Sequence, residues 1–269
     1  MQTNSLNNLN DDDQIFVSYL NDMATRLISE EKSYDFDLKP LFTMFLNERE
    51  QEIATSILKK SHDIEYDFFG GYELAQRKCL VLYNKNIEKS KIVYPIALIK
   101  ITLNNKTIIL KHGDFLGSIL SLGIKREIIG DILVIDDKSP EEALIFISQT
   151  FLNYLLTNIQ RIGKEACIVD IADINSVNVP QKNFEDLTII VASNRLDCYV
   201  AAICHLSREK SALFIKSGKV FINQLQCYDI AKKLNEGDIL SLRSYGKFKF
   251  EKILGNTQKG RIRSNIKKY

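Results

Sequence analysis

The stretch Asn194–Asn223 reads NRLDCYVAAICHLSREKSALFIKSGKVFIN, and LNEGDILSLRSYGKFKF follows at 234–250. Leu196, Val200 and Ile203 recur at i, i+4 and i+7, which predicts a helix over Arg195–Ile203. Ser207 suits the start of a second helix, because its hydroxyl can accept from the first free N–H groups. Gly218 suits the end of that helix, where the chain turns left-handed. Val220–Asn223, Ile239–Arg243 and Lys247–Ile253 then read as strands. In the last of these, Lys247, Phe248, Lys249 and Phe250 alternate, so one face packs and the other carries charge. Two short helices followed by a small sheet make this region α+β.

Upstream lies a polar stretch, Asn175–Asp186, which contains Pro180 and reads as a linker. Before it the order is again α+β. Tyr94–Leu103 is β-rich, and Asp114–Leu122 reads as a helix begun by an Asp cap and stopped at Gly123. Asp131–Ile135 and Ala143–Ile147 read as strands, Gln149–Ile162 as a helix ended by Gly163, and Ala166–Ile171 as a strand. That succession, β-α-β-β-α-β, is the order of a ferredoxin-like or RNA-recognition-motif-like fold. Nearer the N-terminus, residues up to about 12 read as a frayed arm, and Asp11–Ile28 and Leu38–Lys60 as helices, with Pro40 at the second one's start. Gly70-Gly71 marks a turn and Leu80–Tyr83 a strand. The expected organisation is an N-terminal helical/mixed region over 1–85, a central domain over 92–174 and a C-terminal domain over 188–262.

Composition bounds the function classes. With 45% hydrophobic and 26% charged residues in 269, the chain is globular rather than disordered. The uncharged run Ala143–Gln160 holds seven Ser, Thr, Asn and Gln side chains, too many for a bilayer core, so no membrane contact is expected. Five dispersed cysteines without C-x-x-C spacing suit reduced thiols, and a soluble cytoplasmic protein is expected. The three histidines have no ligand spacing and no glycine-rich turn follows a strand, so no metal, cofactor or small-molecule substrate is expected. Asp11-Asp12-Asp13 reads as a solvated acidic run.

The formal charge of +2 conceals a polarised chain: 1–80 carries 8 Lys/Arg against 15 Asp/Glu, whereas 195–269 carries 16 against 6. Such asymmetry suits a polyanion partner for the C-terminal domain.

The order R-L-D, S-R-x-K-S, I-K-x-G-x-V-x-I-N and then G-D, over about 195–245, resembles the RNA-binding domain named for small-subunit ribosomal protein four, here the S-four domain. That resemblance implies RNA contact from Arg195, Arg208, Lys210, Ser211, Lys216 and Lys219. Helical geometry puts Arg208 and Lys216 about 80° apart, while Lys210 points about 160° from Arg208, so one flat surface cannot use all three equally. Asp197 reads as the start or cap of its helix. HGDFLGSILSLGIKREIIGDILV (112–134), with NEREQEIA and FGGYELAQRK before it, is similar to the YlmH family of bacterial S-four proteins, whose members are also linked with cell-division gene clusters.

The YlmH-like match implies ribosome-associated quality control: binding the large ribosomal subunit obstructed by peptidyl-tRNA, contacting its ribosomal RNA, and supporting tailing of the stalled nascent chain. A base-stacking RNA-recognition motif carries exposed aromatics in a K/R-G-F/Y-rich signature. Glu142–Ile147 has only Phe146, so stacking is not expected there, and Lys125 and Arg126 are the candidate contacts of the central domain. The expectation is a non-enzymatic RNA-binding factor. The alternative is an RNA-modifying enzyme of the pseudouridine synthase or methyltransferase class, since R-L-D also occurs in the catalytic motif of the former.

Overall fold

An acidic triplet opens α1 (Asp11–Glu31), where carboxylates favour the positive end of the helix macrodipole. The fold is that of a computed structural model, which describes residues 9–31, 39–59, 61, 64–104, 110–135, 142–176 and 185–269. It divides into two units, Met1–Pro180 and Gln181–Tyr269, and each mixes helices with antiparallel sheet, so the α+β class is borne out. Among the described residues no helix is long and apolar enough to cross a membrane. Residues 1–8 of the expected arm and 177–184 of the expected linker lie outside the described residues. Asp13 is not solvated: it is 6% exposed and forms an ion pair with Arg49 at 2.7 Å.

The single helix expected over Leu38–Lys60 is two elements. Leu41–Leu46 is strand β1, and Glu48–Leu58 is α2. Asn47 breaks the run. Its side chain accepts from the Glu50 N–H at 3.0 Å while the Glu50 carboxylate accepts from the Asn47 N–H, a reciprocal cap that begins a new helix. Strands β2 (Glu65–Phe69) and β3 (Lys78–Tyr83) complete a three-stranded sheet in the order β1-β3-β2. Leu20, Met23 and Leu27 of α1 pack with Ala54 and Leu58 of α2 and with Leu80 and Leu82 of β3.

The central sheet follows the expected order: β4 (Ile96–Leu103), α3 (His112–Leu120), β5 (Ile129–Val134), β6 (Glu142–Ser148), α4 (Leu152–Asn158), β7 (Arg161–Ile162) and β8 (Glu165–Ala172). Its strands lie in the order β5-β6-β4-β8-β7, all neighbours antiparallel. Two details differ from expectation. Asp114 sits in the first turn of α3 rather than capping it, its carboxylate accepting from the Lys111 N–H at 2.7 Å. The helix expected over Gln149–Ile162 ends at Asn158; Gly163, at φ 58°, turns the β7–β8 hairpin instead.

Alternation sorts β4 into two faces. Ala97, Ile99, Ile101 and Leu103 bury against Phe115 and Ile119 of α3 and Leu155 of α4. Leu98, with Leu144 and Phe146 of β6, buries instead under Phe45 and Cys79 of the N-terminal sheet. Tyr72 stacks on Phe146 at 5.1 Å, and the Asp131 carboxylate accepts from the Tyr72 hydroxyl at 2.6 Å and from the Gln76 and Arg77 N–H groups. The loop after Gly70-Gly71 is thereby pinned to β5.

The C-terminal unit comprises β9 (Glu185–Val191), α5 (Leu196–Cys204), α6 (Arg208–Lys216), β10 (Val220–Ile222), β11 (Leu225–Gln226), β12 (Ile239–Leu242), β13 (Gly246–Asn256) and β14 (Ile262–Lys268). Its six strands run β11-β10-β12-β13-β14-β9. Both expected helices are present, and α6 begins at Ser207, whose hydroxyl accepts from the Lys210 N–H at 3.2 Å. Leu240, Leu242, Phe248, Phe250 and Ile266 face Tyr199, Val200 and Ile215, which places both helices on one side of the sheet. The sequence reading contained neither β9 nor β14, which pair over seven residues each.

Candidate nucleic-acid interface

Asp197, in the first turn of α5, is 4% exposed. Its carboxylate accepts from Arg195 Nε at 3.0 Å and from Arg208 Nη2 at 2.7 Å, so residues from both helices meet on one acid. The cap position of α5 belongs to Arg195, and Asp197 stands at the start of the helix, in its first turn, without capping it. Burial pushes the Asp197 carboxyl up, but the hydrogen bonds and charges of Arg195 and Arg208 prevail and hold it at about 2. The acid is therefore ionised at neutral pH. It orients two guanidinium groups whose side chains remain 37% and 59% exposed. A planar guanidinium fixed at one edge still offers N–H donors to a phosphate.

Ser211 explains how the two helices hold this arrangement. It is fully buried, and its hydroxyl lies within donating distance of the Asp197 carbonyl, 2.9 Å, and the Arg208 carbonyl, 2.8 Å. The resemblance placed Ser211 among the RNA contacts; the structure places it in the α5–α6 joint, where it presents nothing to a ligand. Left-handed His205, at φ 54°, closes α5 and reverses the chain toward α6.

Lys210 and Lys219 come together elsewhere. Both line an open concavity of about 710 Å³, with Arg243 and the apolar surface of Leu213, Phe214 and Tyr245. Phe214 and Tyr245 meet edge to face at 5.6 Å, and Lys219 Nζ lies 5.7 Å from the Phe214 centroid. Leu213 and Tyr245 are 62% and 40% exposed. Lys216 is exposed in the last turn of α6 and does not line this concavity. The six positions therefore separate into an Arg195–Asp197–Arg208 cluster, a Lys210–Lys219 hollow, a lone Lys216 and a buried Ser211. The scatter around α6 expected from helical geometry is present.

In the N-terminal unit, Lys125 is exposed and lies 3.9 Å from Glu127. Arg126 is turned inward: its guanidinium donates to the Ile129 and Gly130 carbonyls, and burial, assisted by the charge of Arg77, lowers its pKa to about 10. It braces the start of β5. The face of the central sheet on which an RNA-recognition motif stacks bases is covered at Leu98 and Phe146 by this chain's own Phe45 and Tyr72.

Sequence reasoning missed Arg243 and Tyr245, because only tertiary packing brings the β12–β13 turn beside α6. It also missed the partners of Asp197. The spacing of an acid and an arginine 11 residues apart carries no helical signal across a chain reversal.

Three similarities to known proteins accompany this geometry. Residues 90–176 match a family model described as "Putative RNA-binding domain in YlmH". The chain is 29% identical over 221 residues to "Ribosome-associated protein quality control protein P2" of Bacillus subtilis (strain 168), covering 82% of this chain and 84% of that one. A solved structure, "Cell division protein ylmH from Streptococcus pneumoniae", is 24% identical, with a TM-score of 0.48, over 62% of this chain and 95% of that one. The family-model match and the Bacillus relative bear out the YlmH-like resemblance read from the sequence.

Proposed function

We propose that this chain is a non-enzymatic RNA-binding factor of ribosome-associated quality control. It works in the cytoplasm on large ribosomal subunits obstructed by peptidyl-tRNA, touching ribosomal RNA and tRNA and supporting tailing of the stalled chain. The observation that carries the reading is the sharing of Asp197 by Arg195 and Arg208 on the helical face of a strongly basic unit. Support also comes from the description of the matched family model and from the name of the Bacillus relative. The non-enzymatic part is supported by Asp197 itself, whose carboxylate is occupied by two arginines inside a helix joint.

Arg208 is the sharpest test of the helical face. Arg208→Ala is expected to weaken binding to a structured ribosomal RNA about tenfold, the scale of one charge-assisted hydrogen bond. Arg208→Lys should recover only part, because an ammonium cannot both hold Asp197 and present a planar fork outward. Circular dichroism matching the parent would show the fold intact. A folded alanine variant that binds RNA like the parent would remove Arg208 from the interface and with it the reading of this face.

A further inference from the structure

The region that resembles an S-four domain stops near residue 245, yet the most basic part of the chain follows it. Residues 246–269 hold Lys247, Lys249, Lys252, Lys259, Arg261, Arg263, Lys267 and Lys268 against one acid, Glu251. They fold as the β13–β14 hairpin. β12 pairs with β13 as far as Lys249, and Gly237 and Asp238 just before β12 bond the Phe250 backbone; beyond Phe250, β13 has β14 as its neighbour on one side alone.

The base of this hairpin is fixed. Phe250 and Ile266 pair across the strands and bury, Tyr199 of α5 meets Phe250 edge to face at 5.3 Å, and the Tyr199 and Ser264 hydroxyls lie 3.0 Å apart. Strand alternation then sends the partners of these residues to the side away from α5 and α6. Lys249 stands directly opposite Lys267, Lys252 opposite Asn265, and Arg263 between Gly255 and Ile190. Two lysines opposite one another repel. Glu251 offsets this, lying 2.9 Å from Lys249 and 3.7 Å from Lys267, and the Lys249 hydrogen bond holds its carboxyl below the usual range. Lys252 and Arg263 continue the row along the exposed distal half, and Lys259 and Arg261 are exposed in the turn that joins the strands; these four form no ion pair among the described residues.

We propose that the outward face of the β13–β14 hairpin is a second RNA-backbone-binding surface, distinct from the helical face that carries Arg195 and Arg208. It rests on the RNA-binding reading above and adds a second site to it. Alternate residues on a strand advance by about 6.8 Å, comparable with the separation of successive phosphates along one RNA strand. A fixed ribbon holds its cations in a row without first ordering a flexible tail, so less entropy opposes binding. Phosphate contacts of this kind carry no sequence information and position the protein on a duplex by shape. With the cations of the helical face on the other side of the sheet, one compact unit can hold two RNA segments at once.

The experiment uses the full chain and a short, fully paired RNA hairpin as probe. Sedimentation equilibrium at low salt gives the number of RNAs bound, and titration at several salt concentrations gives the slope of log affinity. The parent is expected to bind two hairpins. The quadruple variant Lys252→Gln, Lys259→Gln, Arg261→Gln, Arg263→Gln, all at exposed positions, should bind one, with the salt slope of the lost site absent. Arg208→Ala should instead weaken the other site and leave the hairpin site in place. A parent that binds one RNA, or a quadruple variant that still binds two, overturns the proposal. Loss of both sites in Arg208→Ala would also overturn it. If the quadruple variant loses adhesion to phosphatidylserine vesicles while binding RNA unchanged, the surface serves a lipid and the proposal fails. Failure of the primary reading looks different: there Arg208→Ala changes nothing while the quadruple variant still loses a site.

Discussion

Raising salt from about 50 to about 200 mM is expected to lower the affinity of the full chain for structured RNA about a thousandfold, the loss for about six neutralised phosphates. The cations of residues 195–269 are mostly exposed and outnumber the acids 16 to 6, so binding there releases counterions rather than burying apolar area. Exposed ion pairs such as Lys91–Glu88 weaken in the same range, but each contributes little, so the fold should persist while binding disappears. Residues 1–80 work the other way: they carry 15 acids against 8 bases and repel a polyanion. Fluorescence anisotropy with a labelled ribosomal RNA fragment measures the slope. A loss of less than tenfold would mean that apolar or base-specific contacts carry the affinity.

Gly71→Ala is expected to destabilise the N-terminal unit by about 2–4 kcal/mol, the sum of a left-handed backbone penalty and overpacking. Gly71 has φ 97°, and a Cβ there would lie 2.2 Å from Phe146 Cδ1. Phe146 cannot retreat, because it is fully buried and stacked on Tyr72, whose hydroxyl is held by Asp131. Gly117, exposed in the middle of α3 with nothing near its Cβ direction, gives the contrast: Gly117→Ala should stabilise by about 0.5–1 kcal/mol. Denaturant midpoints measure both. A Gly71→Ala loss below about 1 kcal/mol would show that the loop is not locked on the central sheet.

The same residues show what could be read from the chain alone. The β-α-β-β-α-β order was legible because α3 and α4 repeat at helical spacing between apolar strand runs, with Gly123 and Gly163 as punctuation. The cap of α6 at Ser207 and the charged and packed faces of Lys247–Phe250 were legible for the same local reasons. β1 was not, since Leu41, Phe42, Phe45 and Leu46 fit a helical face as well as a strand. Only pairing with β3, about 37 residues on, decides it, although Asn47 with Glu50 marked the break. β14 reads IRSNIKK and looks like a polar tail. Its strand character comes from lying between β13 and β9, with Ser264 and Ile266 buried and Ile262 packed against the same core.

Of the candidate site, the cations were visible and their arrangement was not. Arg208 and Lys210 could be named from sequence, but their division between an acid and an aromatic hollow depends on the α5–α6 reversal at His205. Ser211 and Arg126 show the opposite failure. Both are polar residues in basic neighbourhoods, and both spend their donors on carbonyls of this chain.

The proposed role requires that the protein prefer one ribosomal particle over others. Co-sedimentation of the full chain with large subunits carrying peptidyl-tRNA, with empty large subunits and with intact ribosomes, at equal concentration and salt, tests it most directly. Two RNA contacts made together bind more strongly than either alone. Recovery with the obstructed subunit is expected at least about tenfold above the other two, with a fall to the level of empty subunits once the tRNA is released. Equal recovery with all three particles would contradict it and leave a generic binder of RNA backbone.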